Sequence, residues 1–158
     1  MKKIVNVIWH FPYLGFLMAL GYLIAGAVLC CTFILIPAGL GLFQYSKFLL
    51  APFTRAMIDK KDLALINKEV PPTKPIWVTL KVITRIVYFI PGIFLVCFAF
   101  CQMLIEFVTI LGIPCGIVYA KSLKVIFNPV NKICIPIEVA DEIAKVKSAN
   151  VVENFKKS

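Results

Sequence analysis

The feature that most limits what this chain can fold into is a run of 43 residues, Ile4 to Ser46, without one Asp, Glu, Lys or Arg. A second run, Ile86 to Ala120, holds one charged residue, Glu106, in 35. A soluble helix needs a polar face, and neither run supplies one. About 20 apolar residues suffice to cross a bilayer. The sequence therefore predicts an all-α integral membrane protein. Its apolar content of 61% and charged content of 16% fall on either side of the soluble norms, about 45–50% and about 25%.

The net charge of +9 is not a nucleic-acid signal. The basic residues flank the runs: Lys2 and Lys3 before the first, Arg55, Lys60, Lys61, Lys68, Lys74, Lys81 and Arg85 between them, then Lys121 onward. Basic residues in that position mark the cytoplasmic side of a membrane, and no soluble fold is left to present them to DNA or RNA. Met1-Lys2-Lys3 and Ala25-Gly26-Ala27 resemble a secretory signal with its cleavage site, but the apolar run extends well beyond the usual 7–15 residues. The segment is expected to stay in the fold.

Self-comparison is informative. Shifted by 77, residues 4–53 align without a gap on 81–130. Identities include Gly15/Gly92, Thr32/Thr109, Ile36/Ile113, Pro37/Pro114, Gly39/Gly116, Lys47/Lys124 and Pro52/Pro129. Gly, Pro and Lys are residues that apolar composition does not repeat by chance. The expected organisation is a membrane repeat at 4–53, a cytoplasmic connector at 54–80, a second repeat at 81–130 and a cytoplasmic tail at 131–158. Connector stiffness is expected at Pro71-Pro72-Thr73-Lys74-Pro75, and a helix over 137–157.

The Ile-Pro-x-Gly phrase, the Lys after it and the closing Pro resemble the YccF-type inner membrane component domain, over about 100 residues. That resemblance implies a bacterial inner-membrane protein, often with two copies per chain and two membrane segments per copy, and no established biochemical activity. The Trp-rich opening and Trp-Pro close of the family are replaced here by Trp9-His10-Phe11-Pro12 and by Ala51-Pro52-Phe53 or Asn128-Pro129-Val130.

One helix over 43 residues would be about 65 Å long, twice the hydrocarbon core. Each repeat must therefore enter twice or fold back. An even number of crossings keeps both termini and the connector in the cytoplasm, as the basic residues require. This predicts two tandem parallel repeats of a helical hairpin and about four membrane segments. The turn falls either near Gly26 and Met103 or at the helix breakers Pro37, Gly39, Pro114 and Gly116. The second position is the better functional clue, because proline removes a backbone donor and disfavours helix before it. Irregular backbone within a membrane also needs protein or a water cavity beside it.

Glu106, with Gln102 and Thr109 near it on one helix face, is a candidate pathway or ion site, since an ionisable group in a membrane is a functional candidate by default. Its counterpart in the first repeat is Leu29, so no symmetric acidic pair forms. Lys47, Lys121 and Lys124 are candidate contacts for lipid headgroups or anions at the cytoplasmic interface. His10 is the only histidine and the six cysteines form no CxxC pair, so no metal site, no cofactor and no enzyme is expected. The function expected first is an oligomeric channel or transporter component for ions or small solutes; the alternative is a non-transporting scaffold or accessory subunit that binds anionic lipid or a membrane partner.

Overall fold

The computed structural model describes residues 4, 6, 9–10, 15–67 and 75–157. It is mostly helical. Helix α1 (Gly15–Cys31) leads through a 3₁₀ turn (Phe33–Leu35) into α2 (Ile36–Leu49), then strand β1 (Arg55–Asp59) and α3 (Lys60–Asn67). The order then recurs: a long α4 (Pro75–Phe107), a 3₁₀ turn (Ile110–Gly112), α5 (Ile113–Phe127), β2 (Lys132–Pro136) and α6 (Ile137–Lys157). The stretch 71–74 of the connector lies outside the described residues.

The turns explain themselves residue by residue. Thr32 leaves helical geometry at φ −94° and ψ 114°, and its hydroxyl donates to the Leu29 carbonyl at 2.7 Å. Thr109 does the same at φ −106° and ψ 135°, donating to the Glu106 carbonyl and accepting from the Gly112 amide. Pro37 and Pro114 then stand in the first turn of α2 and α5, where a helix has no use for the missing N–H. The breaks therefore precede Ile-Pro-x-Gly, and those residues start helices. Gly39 and Gly116 lie inside α2 and α5. A Cβ on Gly39 would come 2.6 Å from the Gly26 carbonyl oxygen of α1 and 2.4 Å from the Cys30 sulfur, so this glycine sets the closeness of the first hairpin. Helix also runs through Gly26 and Met103, which are not turns. Pro91 is accommodated inside α4.

No strand is expected from the apolar runs, yet the connector and the tail each contribute one. They pair antiparallel, Arg55 with Pro136, Met57 with Cys134 and Asp59 with Lys132. One end is closed by the Lys132–Asp59 ion pair at 2.9 Å. Asn131, at φ 67°, makes the tight entry to β2 in a conformation that Asn tolerates. Its carbonyl accepts from the Lys60 amide at 2.9 Å.

Large side chains fill the middle. Trp9, Leu42, Tyr45, Tyr119 and Ile126 are all buried in one cluster, against which Met57 and Cys134 of the sheet pack. Ile135, on the other sheet face by strand alternation, and Ile143 of α6 are also buried. Helix α2 is held near the sheet along its length. Its C-terminal end joins β1 through residues 50–54. Towards its N-terminal end, a Cβ on Gly41 would lie 2.1 Å from the Pro129 oxygen, and Leu35 and Ala38 share a buried cluster with Tyr88 and Val130. The Thr84 hydroxyl of α4 donates to the Ile34 carbonyl in the first turn.

The outer faces are apolar. Phe16, Leu20, Ile24 and Val28 of α1 and Ile86, Ile90, Phe94 and Phe98 of α4 are exposed, a surface suited to lipid rather than water. Only α4, at 33 residues, is long and apolar enough to cross a membrane among the described residues; α1 and the Phe33–Leu49 segment are shorter. The charged side chains collect on β1, β2, α3 and α6, where Lys147 pairs with Asp62 at 3.0 Å.

Candidate functional site: a basic groove beside a filled core

A groove of about 490 Å³ runs beside α2. Its lining mixes apolar side chains, Pro37, Leu40, Phe43 and Trp77, with four lysines, Lys47 of α2, Lys60 at the start of α3, Lys81 of α4 and Lys132 of β2; Gly41, Gln44 and Asn131 complete it. The sheet register explains the gathering: pairing of Asp59 with Lys132 brings the start of α3 beside the start of β2. Lys132 is committed to Asp59. Lys47, Lys60 and Lys81 form no ion pair among the described residues, so positive charge is left uncompensated there.

The second half has a matching groove of about 340 Å³. Pro114, Ile117, Val118, Lys121, Arg55 and Ile137 line it, each 77 positions from Pro37, Leu40, Gly41, Gln44, Lys132 and Lys60. The differences are chemical. Val118 stands in place of Gly41, Ile137 in place of Lys60, and Ile4 is the counterpart of Lys81. The second groove is the smaller and the less basic.

The sequence candidates divide between different places. Lys47 lines the first groove and Lys121 the second, while Lys124 is exposed. Lys60, Lys81, Lys132 and Trp77 are not candidates from the sequence, because only strand pairing and the course of α4 bring them into one groove with Lys47. Glu106 is wholly buried, and neither carboxylate oxygen has a hydrogen-bond partner. Gln102 is half-buried on the same helix. Thr109 is exposed at the turn, its hydroxyl tied to the Glu106 main-chain carbonyl. The Gln102 side chain interacts with the Glu106 carboxyl, and Cys115, Tyr119 and Tyr45, which are not candidates from the sequence, also lie within its electrostatic reach. The Tyr45 and Tyr119 hydroxyls also lack hydrogen-bond partners. Aromatic packing closes this space, with Tyr22 against Tyr45 at 4.8 Å and Trp9 against Tyr119 at 5.3 Å.

The groove, the apolar outer faces and the hairpin of α1 and α2 all involve the amino-terminal third of the chain, and that third is what comparison identifies. Residues 4–55 match the YccF family, described as the inner membrane component domain. The YccF match takes in α1, α2 and the first residue of β1, and it supports an inner-membrane protein. Neither a curated protein nor a solved structure matches the chain. Among the described residues no group of His, Cys, Asp and Glu could hold a metal ion.

Proposed function

We propose that the protein is a non-transporting scaffold or accessory subunit of the bacterial inner membrane, with its basic side held at the cytoplasmic lipid surface. The observation that carries this reading is the filled interior: Trp9, Leu42, Tyr45, Tyr119 and Ile126 occupy the space between the two halves, where a passage through a single chain would run. We read the chain as two copies of one domain. In support, the two 3₁₀ turns, α2 and α5, the two strands, and α3 and α6 each begin 77 residues apart. The sheet pairs Arg55 with Pro136 and Asp59 with Lys132. That reciprocal register is what a two-fold relation between copies produces.

The same geometry favours shallow insertion over four full spans. Strands β1 and β2 share one sheet, so an even number of crossings, zero included, separates them. The five residues 50–54 reach at most about 18 Å, less than the roughly 30 Å hydrocarbon core. With Gly41 against Pro129, the other half of α2 also stays near the sheet. Helices α1 and α2 thus enter the bilayer from the cytoplasmic side and return within it.

A second reading, transport through the core, is favoured by the unpartnered Glu106, Tyr45 and Tyr119 groups. Reconstitution into liposomes with entrapped pH- and potassium-sensitive dyes separates the two. The expected flux equals that of empty vesicles. Flux that disappears in Glu106→Gln would overturn the scaffold reading.

A further inference from the structure

We propose that the groove on α2 is a binding site for one anionic phospholipid per chain, with the phosphate held by lysines of its lining (Lys47, Lys60, Lys81) and one acyl chain against its apolar residues. The proposal rests on the membrane scaffold reading and names the ligand of its basic face.

The groove has two chemically different kinds of lining. Among the described residues Lys47, Lys60 and Lys81 form no ion pair, and Asp59 is already engaged by Lys132. Such a cluster selects an anion, and at a membrane surface the abundant anion is a lipid phosphate. Leu40, Phe43 and Pro37 of the same lining offer only apolar surface. A free phosphate would leave those residues uncovered, whereas a lipid meets both kinds. Trp77 lines the groove as well and is 43% exposed, with an indole of the kind that settles at headgroup level. The counterpart groove is smaller, and Ile137 stands there in place of Lys60. One lipid site per chain follows, although the fold repeats.

The test is native mass spectrometry of the full chain, released from detergent and titrated with phosphatidylglycerol, phosphatidylcholine or inorganic phosphate. One phosphatidylglycerol should bind with preference. The double substitution Lys60→Gln and Lys81→Gln should weaken it about 25-fold, roughly fivefold for each lysine at a charged membrane surface. Lys60→Arg with Lys81→Arg should restore most of the affinity, and Lys121→Gln should leave it unchanged. Both altered side chains point into an open groove, and an unchanged circular dichroism spectrum checks that the fold is kept. Equal binding of phosphatidylcholine, or full affinity in the double glutamine variant, would overturn the proposal. Inorganic phosphate displacing the lipid at equal concentration would show an anion site in place of a lipid site. Failure of the scaffold reading shows separately, as flux in the dye-loaded vesicles.

Discussion

Replacing Gly41 with alanine tests whether the second half of the chain is seated on α2. The added methyl would fall 2.1 Å from the Pro129 carbonyl oxygen, 2.6 Å from its carbon and 2.8 Å from its Cβ. Ordinary contact begins near about 3.5 Å, so the Pro129 main chain must retreat by more than about 1 Å. That main chain is not free to do so. Its carbonyl accepts from the Lys132 amide at 3.2 Å in the turn that opens β2, and the adjoining Val130 is buried with Leu35 and Ala38. Overpacking of this kind costs about 1–3 kcal/mol, against a helix-propensity gain of about 1 kcal/mol. The expected net loss is about 1–2 kcal/mol at the upper part of that range. Gly21→Ala is the control. It sits in α1 with nothing within 4 Å of the added carbon, and should gain about 0.5–1 kcal/mol. At roughly 2–4 °C per kcal/mol for a chain of this size, the two variants should unfold several degrees apart, on opposite sides of the parent. Tryptophan fluorescence during heating in detergent reads this out through the buried Trp9. A Gly41→Ala variant that melts with or above the parent would refute the seating of Pro129 on α2.

Two more outcomes are expected. Glu106→Leu gives the second half the residue that its counterpart position, Leu29, already carries. Because the carboxylate is buried without a hydrogen-bond partner, removing it should raise stability by about 1–3 kcal/mol; a lower melting temperature in the same fluorescence assay would show that the carboxylate is held by contacts worth more than its burial costs. For topology, a single cysteine placed at Phe33, in a variant with the six native cysteines replaced, should resist a membrane-impermeant maleimide applied to the periplasmic face. A cysteine at Lys61 should react only once the cytoplasmic face is opened. Periplasmic labelling at position 33 would restore a crossing hairpin.

What was legible in the sequence, and what was not, follows from the range of the physics involved. Apolar runs and turn chemistry are local, so the membrane character and the prolines beside the chain breaks could be read directly. Even there a local rule has two faces: proline that would break a helix from inside is well placed at its start, and only the Thr32 and Thr109 geometry decides which. The strands are a different case. Arg55–Asp59 and Lys132–Pro136 are five residues each, carry charges and have no alternating pattern strong enough to stand out alone. Their stability comes from each other across 77 residues, which no local window contains. The alignment could have reached further than residue 53, since Ile58 matches Ile135 and Ile66 matches Ile143. Two isoleucines in charged sequence are too few to extend a repeat on identity, yet α3 and α6 start 77 apart all the same. The groove inherits this opacity. Lys47, Lys60, Lys81 and Lys132 look like scattered flanking charge until the strand register places two of them together and α4 adds a third. Basic residues near a membrane are expected everywhere along its cytoplasmic side; what distinguishes these four is that they line one groove with apolar side chains and, among the described residues, form a single ion pair, Lys132 with Asp59.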